Sequence, residues 1–142
     1  MNKKNLIFMM LALMVATLTF TSCSSDEDDL DPLDPNNLIG TWKAIGDSND
    51  NGNSWRYYED RVYYQFQKGG YLYQKNIGSN YQSHEYYLWE LVDNNLILRE
   101  GTKIFVTYTV ESVSKNTLVL KYYSSGYYYL FKFVKVSDSE IK

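Results

Sequence analysis

The sequence has a single cysteine, a single histidine and only two prolines, at Cys23, His84, Pro32 and Pro35. One cysteine excludes an intramolecular disulfide framework. A zinc site usually takes several histidine or cysteine ligands, which this chain lacks. It also lacks a Gly-x-Ser-x-Gly elbow and a glycine-rich phosphate loop. We therefore expect no catalytic residue, no metal site and no cofactor, and we predict that the protein is not an enzyme.

An excess of one charge is missing from most of the chain. Residues 24–36 hold six acids and no base, whereas residues 37–142 hold 11 acids and 12 bases. The net charge of −3 therefore describes a short acidic stretch followed by a nearly neutral remainder. Nucleic-acid binding requires a basic stripe, so we expect no nucleic-acid partner.

Long apolar runs are also missing, except at the start of the chain. Residues 1–5 include two lysines, and residues 6–20 are apolar except for Thr17 and Thr19. This run is shorter than the roughly 20 residues of a membrane-spanning helix, and no basic stop-transfer flank follows it. The pattern favours a signal peptide over residues 1–22 rather than a retained membrane anchor.

The cysteine follows this run directly. The segment Phe20-Thr21-Ser22-Cys23 resembles the bacterial lipoprotein signal, in which small residues precede a cysteine that becomes the first residue. The resemblance implies that Cys23 carries a diacylglyceryl thioether and a further acyl chain of the palmitate type on its amine. Several chains give stable anchoring, so the implied partner is a membrane. The alternatives are a buried free thiol or an intermolecular disulfide.

An acidic block follows the cysteine. Ser25-Asp26-Glu27-Asp28-Asp29 resembles the export signal of Bacteroidetes surface lipoproteins. The resemblance implies a lipid-anchored protein of the outer membrane, exposed at the cell surface. Taken only as a charge run, the block is a solvated linker. We predict a flexible acidic tether over residues 23–37 and one folded domain over residues 38–142.

The rest of the chain is typical of an all-β domain. No proline follows Pro35, and short aromatic and β-branched runs alternate with turn signals such as Lys68-Gly69-Gly70. Short connections favour antiparallel neighbours, so we predict an eight-stranded antiparallel up-and-down barrel, which leaves no open sheet edge. The predicted strands cover residues 38–45, 61–67, 71–76, 83–91, 96–100, 104–111, 117–123 and 127–136.

Alternation along these strands selects the side chains that face inward. This alternation predicts that Ile104 faces inward. In the last strand we predict that Tyr127, Tyr129, Phe131 and Phe133 face inward, because Lys132 lies on the other face; Lys135, which lies on the same face as these rings, argues against this choice. Aromatic rings with hydroxyls suit an amphipathic pocket. The candidate ligand-binding residues are Tyr64, Tyr87, Trp89, Tyr108, Tyr122 and Tyr129. We expect Tyr64, Tyr87 and Tyr129 to lie nearest the mouth of the barrel.

The strand motifs also resemble a known family. Gly40-Thr41-Trp42, Trp89-Glu90-Leu91, Leu96-Ile97-Leu98, Leu118-Val119-Leu120 and Tyr129-Leu130-Phe131 occur in the order found in lipocalin-like lipoproteins of Bacteroidetes. The resemblance implies a lipocalin-like barrel with Trp42 at its closed end. Lipocalins often stack a late arginine on this tryptophan. No such arginine is present, and we expect Lys132 or Lys135 to cover Trp42 instead.

One loop has oxygen-bearing side chains at alternate positions before a glycine. Asp47-Ser48-Asn49-Asp50-Asn51-Gly52 is spaced like the start of a calcium loop, but Tyr58 stands where a calcium-binding loop would place its glutamate. We favour a polar loop over residues 46–60 that acts as a lid.

Two functions remain open, with an enzyme as a remote third. The first is a barrel that binds a small apolar, aromatic or glycan-derived ligand. The second is a structural or interaction barrel, an accessory protein at the cell surface. A cavity of about 300 Å³ or more would favour the first, and a filled barrel with an outer aromatic patch would favour the second.

Overall fold

The protein forms one closed barrel of eight antiparallel strands. The computed structural model describes residues 29–142. The predicted signal peptide, the lipidation site Cys23 and the start of the tether lie outside these residues. The strands are β1 Gly40–Ser48, β2 Arg56–Gln67, β3 Tyr71–Ile77, β4 Gln82–Val92, β5 Asn95–Glu100, β6 Lys103–Val113, β7 Thr117–Ser124 and β8 Tyr127–Val136.

Each strand pairs with its neighbours in sequence, and β1 also pairs with β8 to close the sheet. The predicted fold class is therefore confirmed. Short 3-10 turns flank the barrel at Pro35–Leu38 and Asp138–Ile141. Within residues 29–142, no helix is long and apolar enough to cross a membrane.

A bulge in β6 changes which side chains face inward. Leu98 pairs with Val106, but the next residue, Arg99, pairs with Ile104, so Phe105 is an extra residue. Ile104 therefore lies opposite the outward-facing Arg99 and is 56% exposed. The prediction that Ile104 faces inward was wrong, because a bulge reverses the alternation on which it was based.

A second irregularity lies between β1 and β2. Ala44 pairs with Val62, but Gly46 pairs with Tyr57, so residues 58–61 have no partner in β1. The strand β2 begins five residues earlier than predicted as a result. This early start brings Tyr58 into the wall of the barrel.

The starts of β1, β3, β5 and β7 and the ends of the other strands form the closed end. Its buried side chains make the closed-end core, which consists of Leu38, Trp42, Phe66, Leu72, Trp89, Leu96, Val110, Val113, Leu118 and Phe133. Trp42 is fully buried and donates its indole N–H to the carbonyl of Leu38 at 2.8 Å. The Lys135 Nζ lies 4.2 Å from the centre of the Trp42 ring. Lys135 therefore covers Trp42, whereas Lys132 lies over Trp55 outside the barrel.

The segment before β1 packs against the closed end. The N–H of Leu30 donates to the carbonyl of Val113 at 2.8 Å, and Asp29 bridges Ser114. Leu30 and Ile39 contact the closed-end core. The structure thus differs from the expectation of a flexible tether up to Asn37, because residues 29–37 belong to the folded domain.

The C-terminal turn covers part of the outer wall. Thr41 donates its hydroxyl to Asp138 at 2.6 Å, and the Lys75 Nζ donates to the carbonyl of Ile141 at 2.8 Å. Between these two anchors lies Tyr63, which faces outward and is only 2% exposed. The turn therefore buries an aromatic ring that a bare barrel would leave in water.

Candidate ligand site at the mouth of the barrel

The mouth is the end opposite the closed-end core, and four loops surround it. These loops cover residues 49–55, 78–81, 101–102 and 125–126. The first is the loop that the sequence predicts to act as a lid. Gly52 lies against Trp55 and Leu130, and Leu130 pairs with Ser48 and Lys121 on the outer wall. The tryptophan of this loop therefore packs outside β8, whereas Asn49 and Ser54 line a recess at the mouth beside Tyr129.

Solvent exposure of the inward-facing side chains changes along the barrel axis. In the closed-end core, Trp42, Leu72 and Leu118 have no more than traces of exposed surface. Toward the mouth, Tyr108 and Tyr122 still point inward but keep part of their surface accessible. The barrel therefore has a tightly packed closed end and a more accessible upper half, the half toward the mouth, whose interior we call the cup.

Tyrosine side chains dominate the upper half. Five of them influence one another electrostatically and form what we call the tyrosine cluster: Tyr58, Tyr64, Tyr87, Tyr108 and Tyr122. Burial raises the pKa of Tyr64 well above its ordinary value, and its interactions with Tyr108 raise it further. Burial is also the main cause of the raised pKa of Tyr108. Neutral hydroxyls can donate as well as accept hydrogen bonds, so the cluster offers both functions to a ligand.

One edge of the mouth combines stacked rings with carboxylates. Tyr87 stacks on the bulged Phe105, with ring centres 4.9 Å apart. The Tyr87 hydroxyl donates to Glu85. Burial raises the pKa of Tyr87, and Glu85 and Glu100 add to this effect. This edge therefore presents a flat apolar surface bordered by negative charge.

The opposite edge holds a charged pair. Asp47 at the end of β1 accepts from Arg56 at the start of β2, at 2.7 Å. Burial raises the pKa of Tyr58, and its interaction with Asp47 raises it further. A pocket of about 200 Å³ lies here, lined by Asp47, Ser48, Asn49, Ser54, Arg56 and Tyr129. It gives this side of the mouth a small polar recess.

The Asp50 loop is ordered by its own hydrogen bonds. The Asp50 carboxylate accepts from the Ser48 hydroxyl at 2.6 Å and from the Ser54 N–H at 3.0 Å. These bonds lower the pKa of Asp50 to about 2. Within residues 29–142, no group of three histidine, cysteine or acidic side chains is placed to hold a metal ion.

The structure separates the six predicted ligand residues. Tyr129 lines the recess at the mouth, and Tyr108 and Tyr122 have ring centres 5.8 Å apart in the upper half. Tyr87 stacks on Phe105 but is only 6% exposed and belongs to the buried core. Tyr64 lies deeper than expected, with its ring 5.2 Å from that of Phe133. The structure differs most at Trp89. This residue belongs to the closed-end core, and its indole N–H donates to the Gln67 and Tyr71 carbonyls.

Sequence reasoning missed Tyr58, Phe105 and the pair of Asp47 and Arg56. The sequence predicts a loop for the segment that contains Arg56 and Tyr58, and it predicts that Phe105 faces outward from its strand. Both errors come from the bulges in β2 and β6. The doublet Tyr57-Tyr58 was the available signal, since paired tyrosines place one ring on each face of a strand.

A second aromatic surface lies on the outer wall of β3 and β4. We call it the outer aromatic row, and it consists of Tyr71, Tyr73, His84, Tyr86 and Leu88. The rings of Tyr73 and Tyr86 are 5.0 Å apart, and Tyr86 is 69% exposed. The histidine of the chain therefore belongs to an external surface and not to the cup.

Comparisons with known proteins identify the family of the chain. Among solved structures, the chain is similar to japanin from Rhipicephalus appendiculatus, whose structure was solved bound to cholesterol. The two share 12% sequence identity with a TM-score of 0.42, and the match covers 77% of this chain and 80% of japanin. A comparison with curated proteins gave no significant match. The sequence model of the lipocalin-like domain matches residues 38–120, which is more than half of the chain. The protein therefore belongs to the lipocalin-like domain family.

Proposed function

We propose that the protein is a lipid-anchored cup that binds a small amphipathic ligand at its mouth. The observation that carries this proposal is the change in exposure along the barrel axis. Inward-facing Tyr108, Tyr122 and Tyr129 keep accessible surface, whereas the closed-end core keeps almost none. A barrel whose purpose was only structural would gain stability from filling this half as well.

The lining sets the chemistry of the ligand. Aromatic rings offer flat apolar contact, and their hydroxyls offer directed hydrogen bonds. A small apolar, aromatic or glycan-derived molecule has both kinds of surface. The recess beside Asp47 measures about 200 Å³, whereas sites for drug-sized ligands measure about 300–1,000 Å³. We therefore propose a small ligand, bound without chemical conversion.

Matched pairs of tyrosines provide the test. Tyr87 faces the cup and its neighbour Tyr86 faces outward, and the same contrast separates Tyr122 from Tyr123. We expect Tyr87→Ala and Tyr122→Ala to weaken binding of a neutral fluorescent naphthylamine probe severalfold. Tyr86→Ala and Tyr123→Ala should leave probe binding unchanged. Equal effects within each pair, or a parent domain that binds no probe, would refute a cup.

Anchoring at the outer membrane is the second part of the proposal. It is supported by the lipoprotein-like segment before Cys23 and by the acidic block after it. Cys23→Ala should move the protein from the membrane to the soluble periplasmic fraction. Replacing the acids at 26–29 with alanine should keep lipidation but remove the protein from the surface, as judged by protease treatment of whole cells. Membrane retention of the Cys23→Ala protein would contradict the anchor.

One observation favours a second function. The outer aromatic row is exposed, and such rows often mark interaction surfaces. If the parent domain binds no probe and Tyr86→Ala abolishes association with another surface protein, an interaction barrel replaces the cup.

A further inference from the structure

The path of the chain before β1 shows which end of the barrel is tied to the N-terminal segment. Leu30 donates its N–H to Val113, at the closed-end terminus of β6, and Asp29 bridges the adjacent Ser114. From there the chain crosses the closed end to Leu38, which is buried under Trp42. The first described residue is therefore fixed to the closed end by hydrogen bonds and by core packing.

The distance from this point to the proposed anchor is short. Six peptide units separate Cys23 from Asp29, and fully extended they span about 20 Å. The strands of a barrel tilt by about 40°, so ten residues of β8 give a height of about 25 Å before the mouth loops are added. An inverted barrel, with its mouth on the bilayer, would hold Asp29 beyond the reach of the anchor.

We propose that the barrel stands with its closed end toward the membrane and its mouth toward the aqueous medium. This inference rests on the proposed anchoring at Cys23. It deepens the proposed function, because a mouth that faces away from the bilayer takes its ligand from water and not from the lipid phase. A lipid-extracting protein would need the opposite orientation.

The surface of the closed end fits a position near the bilayer. Leu33 and Val92 are exposed there, at 54% and 48%. A groove of about 440 Å³ opens beside them, with Pro35, Ile39 and Leu91 among its lining residues. Apolar side chains of this kind partition favourably into a membrane interface.

The lone cysteine makes the orientation directly measurable. When Cys23 is lipidated, an introduced cysteine is the sole free thiol of the mature chain. Full-length lipidated protein would carry one fluorescent label at Asn116→Cys or Lys68→Cys, in closed-end turns, or at Thr102→Cys or Ser79→Cys, in mouth turns. All four positions are exposed. Vesicles of phosphatidylethanolamine and phosphatidylglycerol would contain a lipid with a quenching spin label on its headgroup.

We expect quenching at both closed-end positions to exceed quenching at both mouth positions severalfold. Inserting a flexible linker of about 40 residues after Glu27, with an average span of about 35 Å, should reduce this difference. Equal quenching at the two ends, or stronger quenching at the mouth, overturns the orientation while leaving the anchor intact. If the unlabelled parent protein does not float with the vesicles, the anchor itself is wrong and the orientation fails with it.

Discussion

The contact between Lys135 and Trp42 gives a quantitative test of how the closed end is stabilised. The Lys135 Nζ lies 4.2 Å from the ring centre and also donates to the carbonyl of Ile39. A cation over an aromatic ring contributes about 0.5–2 kcal/mol, and a hydrogen bond from a charged group about 1.5–3 kcal/mol. Burial opposes these gains, since it lowers the pKa of Lys135. We expect Lys135→Met to reduce the free energy of unfolding by about 1–3 kcal/mol.

Methionine is the appropriate replacement because it nearly preserves the volume that packs on Trp42 while removing the charge. Lys132→Met is the matched control, since Lys132 lies 5.4 Å from the Trp55 ring on the outer wall. An exposed contact of this kind contributes at most about 1 kcal/mol. Urea and thermal unfolding of residues 29–142, followed by tryptophan fluorescence, measure the free energy of unfolding and the melting temperature of both variants. For Lys135→Met we expect the melting temperature to fall by about 4–12 °C.

If Lys135→Met and Lys132→Met cost the same, the closed end does not depend on the charged group. Lys135→Arg should recover most of the loss, because guanidinium also stacks on indole. Failure of arginine to recover stability, together with a large loss in the methionine variant, would assign the effect to the Ile39 hydrogen bond alone.

Three further predictions concern other parts of the molecule. The domain should lose stability steadily as the pH rises above about 10, the ordinary pKa of tyrosine. The pKa of Tyr64 is raised in the folded state, so the folded domain keeps a proton that the unfolded chain releases. Urea unfolding curves that show no loss of stability above about pH 10 would contradict this prediction. Deleting residues 138–142 uncovers Tyr63 and should cost about 2–3 kcal/mol from lost aromatic burial; an unchanged melting temperature would show that the turn does not stabilise the wall. Asp50→Ala removes the acceptor that orders residues 49–55 and should speed proteolytic cleavage within this loop. Asn49→Ala serves as the control. Equal cleavage rates in the two variants would show that the hydrogen bonds of Asp50 do not order the loop.

Much of the fold is encoded locally and could be predicted from the sequence. Alternating aromatic and β-branched residues between turn signals predicted the eight strands and their antiparallel order. Connections of a few residues leave a strand little choice of partner, so the closed barrel followed. The family assignment followed from motifs such as Gly40-Thr41-Trp42, which occupy the same strands in the structure. The proposal of a lipoprotein signal likewise rests on local order and spacing.

The site depended on features that local patterns do not specify. A bulge inserts one residue and reverses the direction of every side chain beyond it. The sequence of β6 contains no pattern that predicts its bulge, and this bulge places Ile104 on the outside and Phe105 beside Tyr87. The depth of a side chain along the barrel axis depends on the register between several strands. The sequence therefore predicts an inward-facing ring at Tyr64, Trp89 and Tyr129 alike, but Tyr64 and Trp89 lie deeper in the barrel than Tyr129.

What the sequence alone determined is the set of elements, their order and the face that most residues occupy, because these depend on short-range periodicity. What only the tertiary structure decided is which end each residue reaches and what covers it. Lys135 became the partner of Trp42 because β8 closes on β1. Tyr63 became buried because the C-terminal turn lies across the wall. Such contacts join residues that are distant along the chain, and their physical basis is the closure of the barrel.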